Sequence, residues 1–591
     1  MTNEFMNLPS LKTFSQSRYF HPLLLLASIA VGIALRFSRL EAKPIWTDEF
    51  ATIVFSLGNT FHSVPLDRSI APDVLFQPLQ PQLKDIGDVI ERLFNESTHP
   101  PLYFAIAHLW LKLFAIQSKM VLLWASRTLS VLFGVATIPA MYGFAWLAFR
   151  SRVVAQLAAA MMAISPYSIF LAQEARHYTL ATLFIVASLS FFVVTINYIE
   201  KRSPLPAWVG FSWVAVNSLG IATHYFFTLS LVIQGLVLSV IWIKNKINSP
   251  LANAPLIYWW RIVAVALGTL AGGLVWLPVW QNIHGSELTR WVYQDPLRNF
   301  LLPAIRLCLW ANSMLSMLPV DIFSLPLWVV IVFGSIMIIY LIWIVRFSWR
   351  GWRWQIKQSN SSFTAKALGG YVVSMLGLIL VLNYGLGTDL TLAPRFQYIY
   401  FPVALALFSY SISAYWMTAT GQREFEDKIP LPQPLSPVMI VLLMGLMGGI
   451  TIVGNFGYLQ HERCDIVAKS IYNESQMPVL IASTHKHHGN TGRMMGIAWE
   501  LNRLNQGTYH SSPLFLLAHN YQGLCKEAVC NDPNNDPGIT LSETVAKLPR
   551  PLDVWVVNFH APILIENQNC TSADARWRKV EGYRFRRYEC R

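Results

Sequence analysis

Long apolar runs separated by short polar segments recur along most of the chain, and each is near the length of about 20 residues that a membrane-spanning helix requires. From His461 onward, apolar and polar positions mix as they do in water-soluble sequence. The pattern predicts a transmembrane domain over residues 1–458 and a soluble domain over residues 459–591. The first run, residues 20–35, lacks a small-residue cleavage site and is expected to be a retained span rather than a signal peptide.

The soluble stretch has a pattern of its own. Three short apolar runs in it are typical of buried strands, at residues 478–482, 513–518 and 553–559. Residues 493–504 have a helical pattern. The fold class predicted for the chain is therefore a polytopic α-helical membrane protein with a small C-terminal α/β domain.

Basic residues predict how the chain is oriented, because Lys and Arg are enriched in loops on the cytoplasmic side. Four short loops between apolar runs are basic: Arg150 with Arg152, Lys201 with Arg202, Lys244 with Lys246, and the run from Arg346 to Lys357. Placing these loops inside gives a cytoplasmic N-terminus in the cell inner (plasma) membrane. Segments 173–177, 224–225 and 384–395 and the C-terminal domain then lie on the outer, extracytoplasmic face.

This alternation requires that two apolar stretches do not cross the bilayer. Residues 102–115 are short and interrupted by His108 and Lys112, and residues 300–318 contain Arg306. Both are predicted to be helices at the outer interface, which leaves about eleven spans.

Composition agrees with a membrane protein and predicts the redox environment. Of 591 residues, 54% are hydrophobic and 13% are charged, whereas soluble domains have about 25% charged residues. The net charge of +13 lies mostly in short loops, so membrane lipids rather than nucleic acid are the expected partners. Five of the six Cys are in the soluble stretch, which predicts an oxidising compartment. Several disulfide pairings are possible. One alternative joins Cys525 to Cys530 and Cys570 to Cys590 and leaves Cys464 as a free thiol.

Acidic residues are scarce in the spans, where Glu174 is the only one between Arg127 and Ile199. Proton-coupled transporters place carboxylates inside the bilayer. A transporter or lipid flippase is the alternative from another functional class. The scarcity of acidic residues in the spans disfavours it, and no polar path through the spans is evident from the sequence. Asp48 and Glu49, just after the first span, either begin and cap a helix or form a reactive carboxylate pair.

Two further polar segments are expected on the outer face. Paired prolines between His99 and Tyr103 hold His99 near the lipid headgroups, or they only start an interfacial helix. Arg176 is either a phosphate clamp oriented by Glu174 or an interfacial Arg that reaches to lipid phosphate. Both interpretations of Arg176 involve a phosphate.

In order and spacing, these segments resemble those of the bacterial dolichyl-phosphate-mannose protein mannosyltransferase group, GT-C glycosyltransferases related to the aminoarabinose transferase that modifies lipid A. The similar segments are Trp46-Thr47-Asp48-Glu49, 98–103, 127–134, Ser165-Pro166, 173–178, Thr223-His224-Tyr225 and, past the first 230 residues, Pro394-Arg395-Phe396.

The resemblance implies an inverting glycosyltransferase that moves a single sugar from a polyprenyl-phosphate carrier to a lipid, protein or glycan acceptor at the outer face. It places Asp48 at the position of the family's essential Asp, with Glu49 beside it, and Asp48 is the candidate base. Arg176 and Arg395 are expected to hold the phosphate. The candidate substrate-binding residues are His99, Tyr103, Glu174, Arg176, Tyr178, His224, Tyr225 and Arg395.

Departures from related families shape three further expectations. Thr98 and His99 stand where the aminoarabinose transferase has an acidic residue and a Lys, so no metal or other cofactor is expected to be required, with a divalent metal as the open alternative. Residues 484–489 contain three His but no Cys or acid at ligand spacing, which favours a polar loop over a zinc site. The Trp-Trp-Asp signature of oligosaccharyltransferases is missing, which favours transfer of a single sugar.

Overall fold

The protein folds into two compact units in a computed structural model. The helical unit comprises Met1–Leu40 and Arg127–Leu459, and the sheet unit comprises Glu41–Ser126 and Gln460–Arg591. The structure describes residues 19–82, 84–114, 123–248, 255–283, 287–293, 295, 299–358, 361–419, 436–505, 512–520 and 536–591.

The sheet unit is built from two stretches that are far apart in the sequence. The two predicted domains, residues 1–458 and 459–591, follow chain order, but Glu41–Ser126 falls in the same compact unit as the C-terminal residues. The helix Thr47–Ser56 packs against the helix His488–Leu504, and the short strand Ser69–Ile70 adds antiparallel to Leu514–His519.

Most of the described residues are α-helical. In chain order the described α-helices are α1 (Phe20–Phe37), α2 (Thr47–Ser56), α3 (Pro72–Leu75), α4 (Ile86–Glu96), α5 (Leu102–Lys112), α6 (Leu123–Phe149), α7 (Arg152–Ile164), α8 (Pro166–Ala172), α9 (Tyr178–Glu200), α10 (Ala207–Thr223), α11 (Phe227–Asn248), α12 (Pro255–Leu274), α13 (Leu277–Ile283), α14 (Leu302–Leu315), α15 (Leu327–Gln358), α16 (Ser362–Leu386), α17 (Phe401–Ala419), α18 (Ser436–Gly454), α19 (Cys464–Glu474), α20 (His488–Leu504) and α21 (Pro537–Lys547). Helices α2 to α5 and α19 to α21 belong to the sheet unit, and the others belong to the helical unit, apart from the first four residues of α6.

Seven helices within the described residues are long and apolar enough to cross a membrane, namely α1, α6, α9, α11, α15, α16 and α18. The pair α7 and α8, bent by 54°, meets the same criterion together, and α10 and α17 are shorter apolar helices. The predicted polytopic helical membrane fold is thus confirmed. The number of about eleven spans stays a prediction.

The two stretches excluded from the span count form short helices. Helix α5 has 11 residues and α14 has 14. At 1.5 Å per residue these are about 16 and about 21 Å long, against about 30 Å for the bilayer core. Both are too short to span, as predicted, while their location at the interface stays a prediction.

The bend between α7 and α8 lies at Ser165 and Pro166, where proline cannot donate to the helical hydrogen-bond ladder. Arg36 of α1 is fully buried there, and its guanidinium donates to the last carbonyl groups of α7 at 2.8 Å. Gln173 in turn donates to carbonyl groups at the end of α1, the closest at 2.9 Å. Side chains thus satisfy carbonyl groups that the ends of α7 and α1 leave open, and the bonds of Gln173 fix the start of the segment that follows α8.

A chain of neutral polar side chains crosses the buried centre of the helical unit. Hydrogen bonds of 2.7 to 3.1 Å link, in order, Thr269, Asn217, Ser188, Gln234, Ser230 and Tyr371. The Tyr371 hydroxyl also donates to the Ile399 carbonyl at 3.0 Å. No pattern in the sequence indicates this chain, because residues scattered over five helices meet only in the fold. Since every member is neutral and bonded to the next, the chain joins helices and offers no charged site for an ion.

One seven-stranded sheet organises the sheet unit. Its strands are β1 (Ser69–Ile70), β2 (Val479–His485), β3 (Leu514–His519), β4 (Leu552–Val557), β5 (Cys570–Ser572), β6 (Arg578–Val580) and β7 (Tyr583–Cys590). Their order is β1-β3-β2-β4-β7-β5, with β6 beside β7. Strands β2, β3 and β4 are parallel and coincide with the three predicted strands, and α20 contains the predicted helix. The predicted C-terminal α/β fold is confirmed.

Cysteine pairing in the sheet unit follows strand pairing. Cys570 and Cys590 are register partners on β5 and β7 and form a disulfide, which confirms one predicted pair. Cys464 is buried and forms no disulfide. Cys525 and Cys530 lie outside the described residues.

Candidate active site

The first group of predicted residues lies in the helical unit, between the end of α8 and the start of α9. Glu174 and Arg176 are both buried. Ser130 of α6 fixes the backbone of Arg176, since its hydroxyl accepts from the Arg176 N–H at 3.2 Å and donates to the Arg176 carbonyl at 2.8 Å. The guanidinium lies 5.6 Å from the centre of the Tyr178 ring, a cation–π distance. Two hydrogen bonds therefore fix the backbone of Arg176, the predicted phosphate clamp.

Four rings gather beside this turn. The centre of the His224 ring lies 4.8 Å from that of His177, 5.5 Å from that of Tyr178 and 5.4 Å from that of Tyr398. The Nδ1 atom of His224 accepts the Phe226 N–H at 3.0 Å, so Nε2 holds the proton of the neutral ring. The fold thus brings the predicted residues Tyr178 and His224 together and adds His177 and Tyr398.

Arg395 belongs to the 3-10 turn Pro394–Ile399, which also contains Tyr398. The hydroxyl of Tyr167, on α8, donates at 3.0 Å to the carbonyl group that begins this turn. The Arg395 guanidinium lies 5.4 Å from the centre of the Trp291 ring. Because Tyr398 touches the Tyr178 ring at a centre-to-centre distance of 6.0 Å, the turns that contain the two candidate arginines are in contact.

An ion pair anchors the loop that leads to this turn. Arg306 of α14 binds Asp389 at 2.8 Å, and the other carboxylate oxygen of Asp389 accepts from the hydroxyl and N–H of Thr391 at 2.6 and 2.9 Å. Arg306, noted in the sequence as a charge that interrupts an apolar run, therefore has a defined structural partner.

Tyr225 points away from the ring cluster. Its ring packs against Trp276 and Trp280, each 5.9 Å away between ring centres. His224 has extended backbone angles, and successive side chains of an extended segment point to opposite sides. Of the predicted pair, only His224 joins the cluster.

The second group of predicted residues lies in the sheet unit, where Asp48 and Glu49 occupy the first turn of α2. Trp46 is the N-cap residue, and its side chain makes no capping hydrogen bond. Neither Thr47 nor Asp48 is therefore the N-cap. Asp48 and Glu49 nevertheless lie at the positive end of the helix dipole. Glu49 is fully buried and Asp48 is half-buried, so the adjacent carboxylates occupy different environments.

His99 and Tyr103 lie at the start of α5, which packs against α2. The Nδ1 atom of His99 is 3.1 Å from the hydroxyl oxygen of Ser97, and Tyr103 is fully buried beside Phe104. The sheet unit thus contains four of the predicted site residues, and the helical unit contains the other six.

Two basic side chains of the C-terminal stretch, His488 and Arg493, lie near Asp48 within the sheet unit. Burial lowers the pKa of His488 to about 4, and the charge of Asp48 opposes that shift. Burial alone would lower the pKa of Arg493, but the charge and hydrogen bond of Glu462 raise it above the ordinary value, and Asp48 adds to the effect. Arg493 therefore places a permanent positive charge near the candidate base.

We expect the sheet unit to lose stability as the pH falls from about 6.5 to about 4. Burial lowers the pKa of His488 to about 4 and that of His485 to about 3, from 6.5. In this window the unfolded chain binds protons that the folded chain does not, so stability present above pH 6.5 is lost on acidification, by an order of a few kcal/mol. Thermal unfolding of the purified protein between about pH 4 and about pH 7 measures the effect.

A ring-preserving variant is the control for this pH dependence. His488→Phe keeps an aromatic ring where His488 stacks on Phe61 at 5.1 Å and meets Phe55 edge-on at 5.5 Å. It should reduce the pH dependence of the unfolding temperature and leave the part that His485 contributes. An unchanged slope in this variant would show that His488 does not contribute.

The histidine-rich segment begins α20. His487 is its N-cap and forms a capping box with Asn490, and His485 Nε2 lies 3.1 Å from the Thr491 hydroxyl oxygen. Within the described part of the chain, no group of three or more His, Cys, Asp or Glu is arranged to hold a metal ion. That no metal is required stays a prediction.

Some neighbours of the candidate residues are absent from the sequence motifs. Tyr398 lies three residues after Arg395, and the aromatic run that follows this Arg is a signal that could have identified it. Glu462 binds Thr47 across 415 residues of sequence, and no local pattern points to such a contact.

Comparison with known proteins gives structural similarities only. No family model and no curated protein sequence matches the chain. It is similar to ArnT from Cupriavidus metallidurans bound to undecaprenyl phosphate, with a TM-score of 0.47, 10% identity, and 97% of this chain and 98% of that chain covered. It is also similar to the apo oligosaccharyltransferase from Archaeoglobus fulgidus, with a TM-score of 0.43, 11% identity, and 92% and 70% covered.

A third similar structure is the Archaeoglobus fulgidus oligosaccharyltransferase tethered to an acceptor peptide, with a TM-score of 0.40 and 12% identity. The match covers 82% of this chain but only 63% of the archaeal protein.

Proposed function

We propose that this protein is an inverting glycosyltransferase that moves a single sugar from a polyprenyl-phosphate carrier to an acceptor hydroxyl at the outer face of the cell membrane. The observation that carries the proposal is the contact between the turns of Arg176 and Arg395 through the rings of Tyr178 and Tyr398. Guanidinium groups bind phosphate oxygens in a bidentate way, and buried or half-buried ones do so with little competition from water.

The proposed reaction divides its tasks between an acid and cations. Asp48 accepts the proton of the acceptor hydroxyl as the oxygen bonds to the anomeric carbon from the face opposite the leaving group. The bond between that carbon and the carrier phosphate breaks, and the phosphate leaves with the electron pair. Arg176 and Arg395 stabilise the charge that develops on the phosphate. His224 and Tyr178 lie beside the turn that contains Arg176, and in this scheme they contact the sugar or the phosphate.

A panel of polyprenyl-phosphate sugars offered to the purified protein in lipid nanodiscs tests the proposal. We expect one donor class to release its sugar, with free polyprenyl phosphate as the second product and dependence on a lipid, protein or glycan acceptor. The Asp48→Asn protein, purified in the same way, controls for a contaminating transferase.

A lipid flippase would give a different result in the same experiment. It would bind the carrier but leave the sugar–phosphate bond intact. Release from no donor, together with movement of a labelled carrier across vesicles that contain the protein, would support the flippase and reject the transferase.

A further inference from the structure

A side chain from the C-terminal stretch closes the start of α2. One carboxylate oxygen of Glu462 accepts the Thr47 N–H at 3.0 Å and the Thr47 hydroxyl at 2.6 Å. Beside this contact, the Trp46 indole stacks on the His461 ring at 3.7 Å between centres, with the planes 14° apart. The first N–H groups of a helix have no partner inside the helix. Glu462 therefore acts as the cap that α2 lacks, and it places negative charge at the positive end of the dipole.

Glu462 is itself held by a second partner. Its other carboxylate oxygen accepts from Arg493 Nε at 2.9 Å, and the Glu462 side chain is only 12% exposed. Charge-assisted hydrogen bonds of this kind are about twice as strong as neutral ones. The Arg493 carbonyl in turn accepts from the hydroxyl of Tyr583 at 3.1 Å. The start of α2 is thus tied through one carboxylate to α20 and β7.

Two glycines give this arrangement its close packing. A Cβ atom on Gly492 would lie 3.0 Å from Cγ2 and 3.3 Å from Cα of Thr47. A Cβ atom on Gly582, where φ is +79°, would lie 2.7 Å from Cγ of Glu462. Any larger residue at either position would have to displace Thr47 or Glu462, so the backbone of the sheet unit is shaped around this contact.

We propose that Glu462 is a positioning residue for Asp48, which follows Thr47 directly. Glu462 binds both the N–H and the hydroxyl of Thr47, the first helical residue. It thereby sets the direction in which the Asp48 carboxylate points. The inference rests on the proposed function, because Glu462 acts through the candidate base and touches no reacting atom. Misplacing a catalytic group by about 1 Å can cost about 10²-fold in rate.

Kinetics of the full-length protein test this role. Glu462→Ala should lower kcat for sugar transfer by about 10²-fold and leave KM for the donor lipid unchanged. Glu462→Gln keeps an acceptor oxygen for Thr47 and should recover most of that rate. The matched control is Glu474→Ala, which removes a carboxylate that pairs with Arg578 elsewhere in the sheet unit and should leave transfer unchanged.

A double mutant separates positioning from a general loss of structure. Once Asp48→Asn has removed the base, adding Glu462→Ala should cause no further loss, because both act on one step. Losses that multiply, or normal kcat in both Glu462 variants, would overturn the positioning role. If Asp48→Asn alone transfers normally, the base assignment in the proposed function fails instead.

A milder variant decides the question if Glu462→Ala does not accumulate in membranes. Thr47→Val removes only the hydroxyl donor of the Glu462 contact and keeps the backbone bond. A lower kcat with unchanged donor KM supports the positioning role, and an unchanged kcat overturns it.

Discussion

Asp48→Asn should lower sugar transfer by about 10² to 10⁴-fold and leave donor binding intact. Asn keeps the size and most hydrogen bonds of Asp but cannot accept the proton of the acceptor hydroxyl. Donor binding should survive because the phosphate is assigned to Arg176 and Arg395. Transfer rate and donor affinity, measured on the same purified protein, give both quantities.

The competing explanation for Asp48 is a structural role at the helix start. A helix cap would tolerate the change, since Asn caps about as well as Asp, and Asp48 is the second residue of α2 rather than its N-cap. Near-normal transfer in Asp48→Asn would remove Asp48 from the mechanism. Glu49, fully buried next to it, would then be the acid to test by Glu49→Gln.

Local sequence signals predicted the elements that depend on local physics. The three central strands and α20 follow from apolar runs of strand length and from helical periodicity. Helices α5 and α14 are short, as the interrupted apolar runs in which they lie predicted. The segment around Glu174 and Arg176 was found because its polar residues stand between two apolar runs.

Contacts between distant parts of the chain could not be predicted in this way. The chain of polar residues that ends at Tyr371 joins single Ser, Thr, Asn and Gln residues, each unremarkable in its own span. Glu462 and Thr47 meet across 415 residues. Tyr225 is a candidate through the Thr223-His224-Tyr225 segment of the family resemblance, but its ring packs against Trp276 rather than beside His224. Such relations depend on the tertiary fold and leave no periodic trace.

Arg176→Ala is expected to weaken donor binding and slow departure of the phosphate together, with kcat/KM for the donor lower by about 10² to 10³-fold. Arg176 is buried and its backbone is fixed by Ser130, so the variant removes a guanidinium group from a defined position. The matched control is Arg261→Ala, which removes an Arg of the same unit that donates to the Leu205 carbonyl at 2.7 Å. Its donor kinetics should be unchanged at equal amounts of folded protein.

The Lys variant separates a phosphate clamp from an interfacial anchor. Lys keeps the charge and also reaches toward lipid phosphate from the edge of a span, so an anchor tolerates Arg176→Lys. A clamp does not, because an ammonium group cannot replace the two parallel hydrogen bonds of a guanidinium. Donor affinity in Arg176→Lys, measured with a labelled polyprenyl-phosphate sugar, should therefore fall well below that of the unaltered protein. Equal affinity would leave Arg176 as an anchor and shift the phosphate-binding role to Arg395.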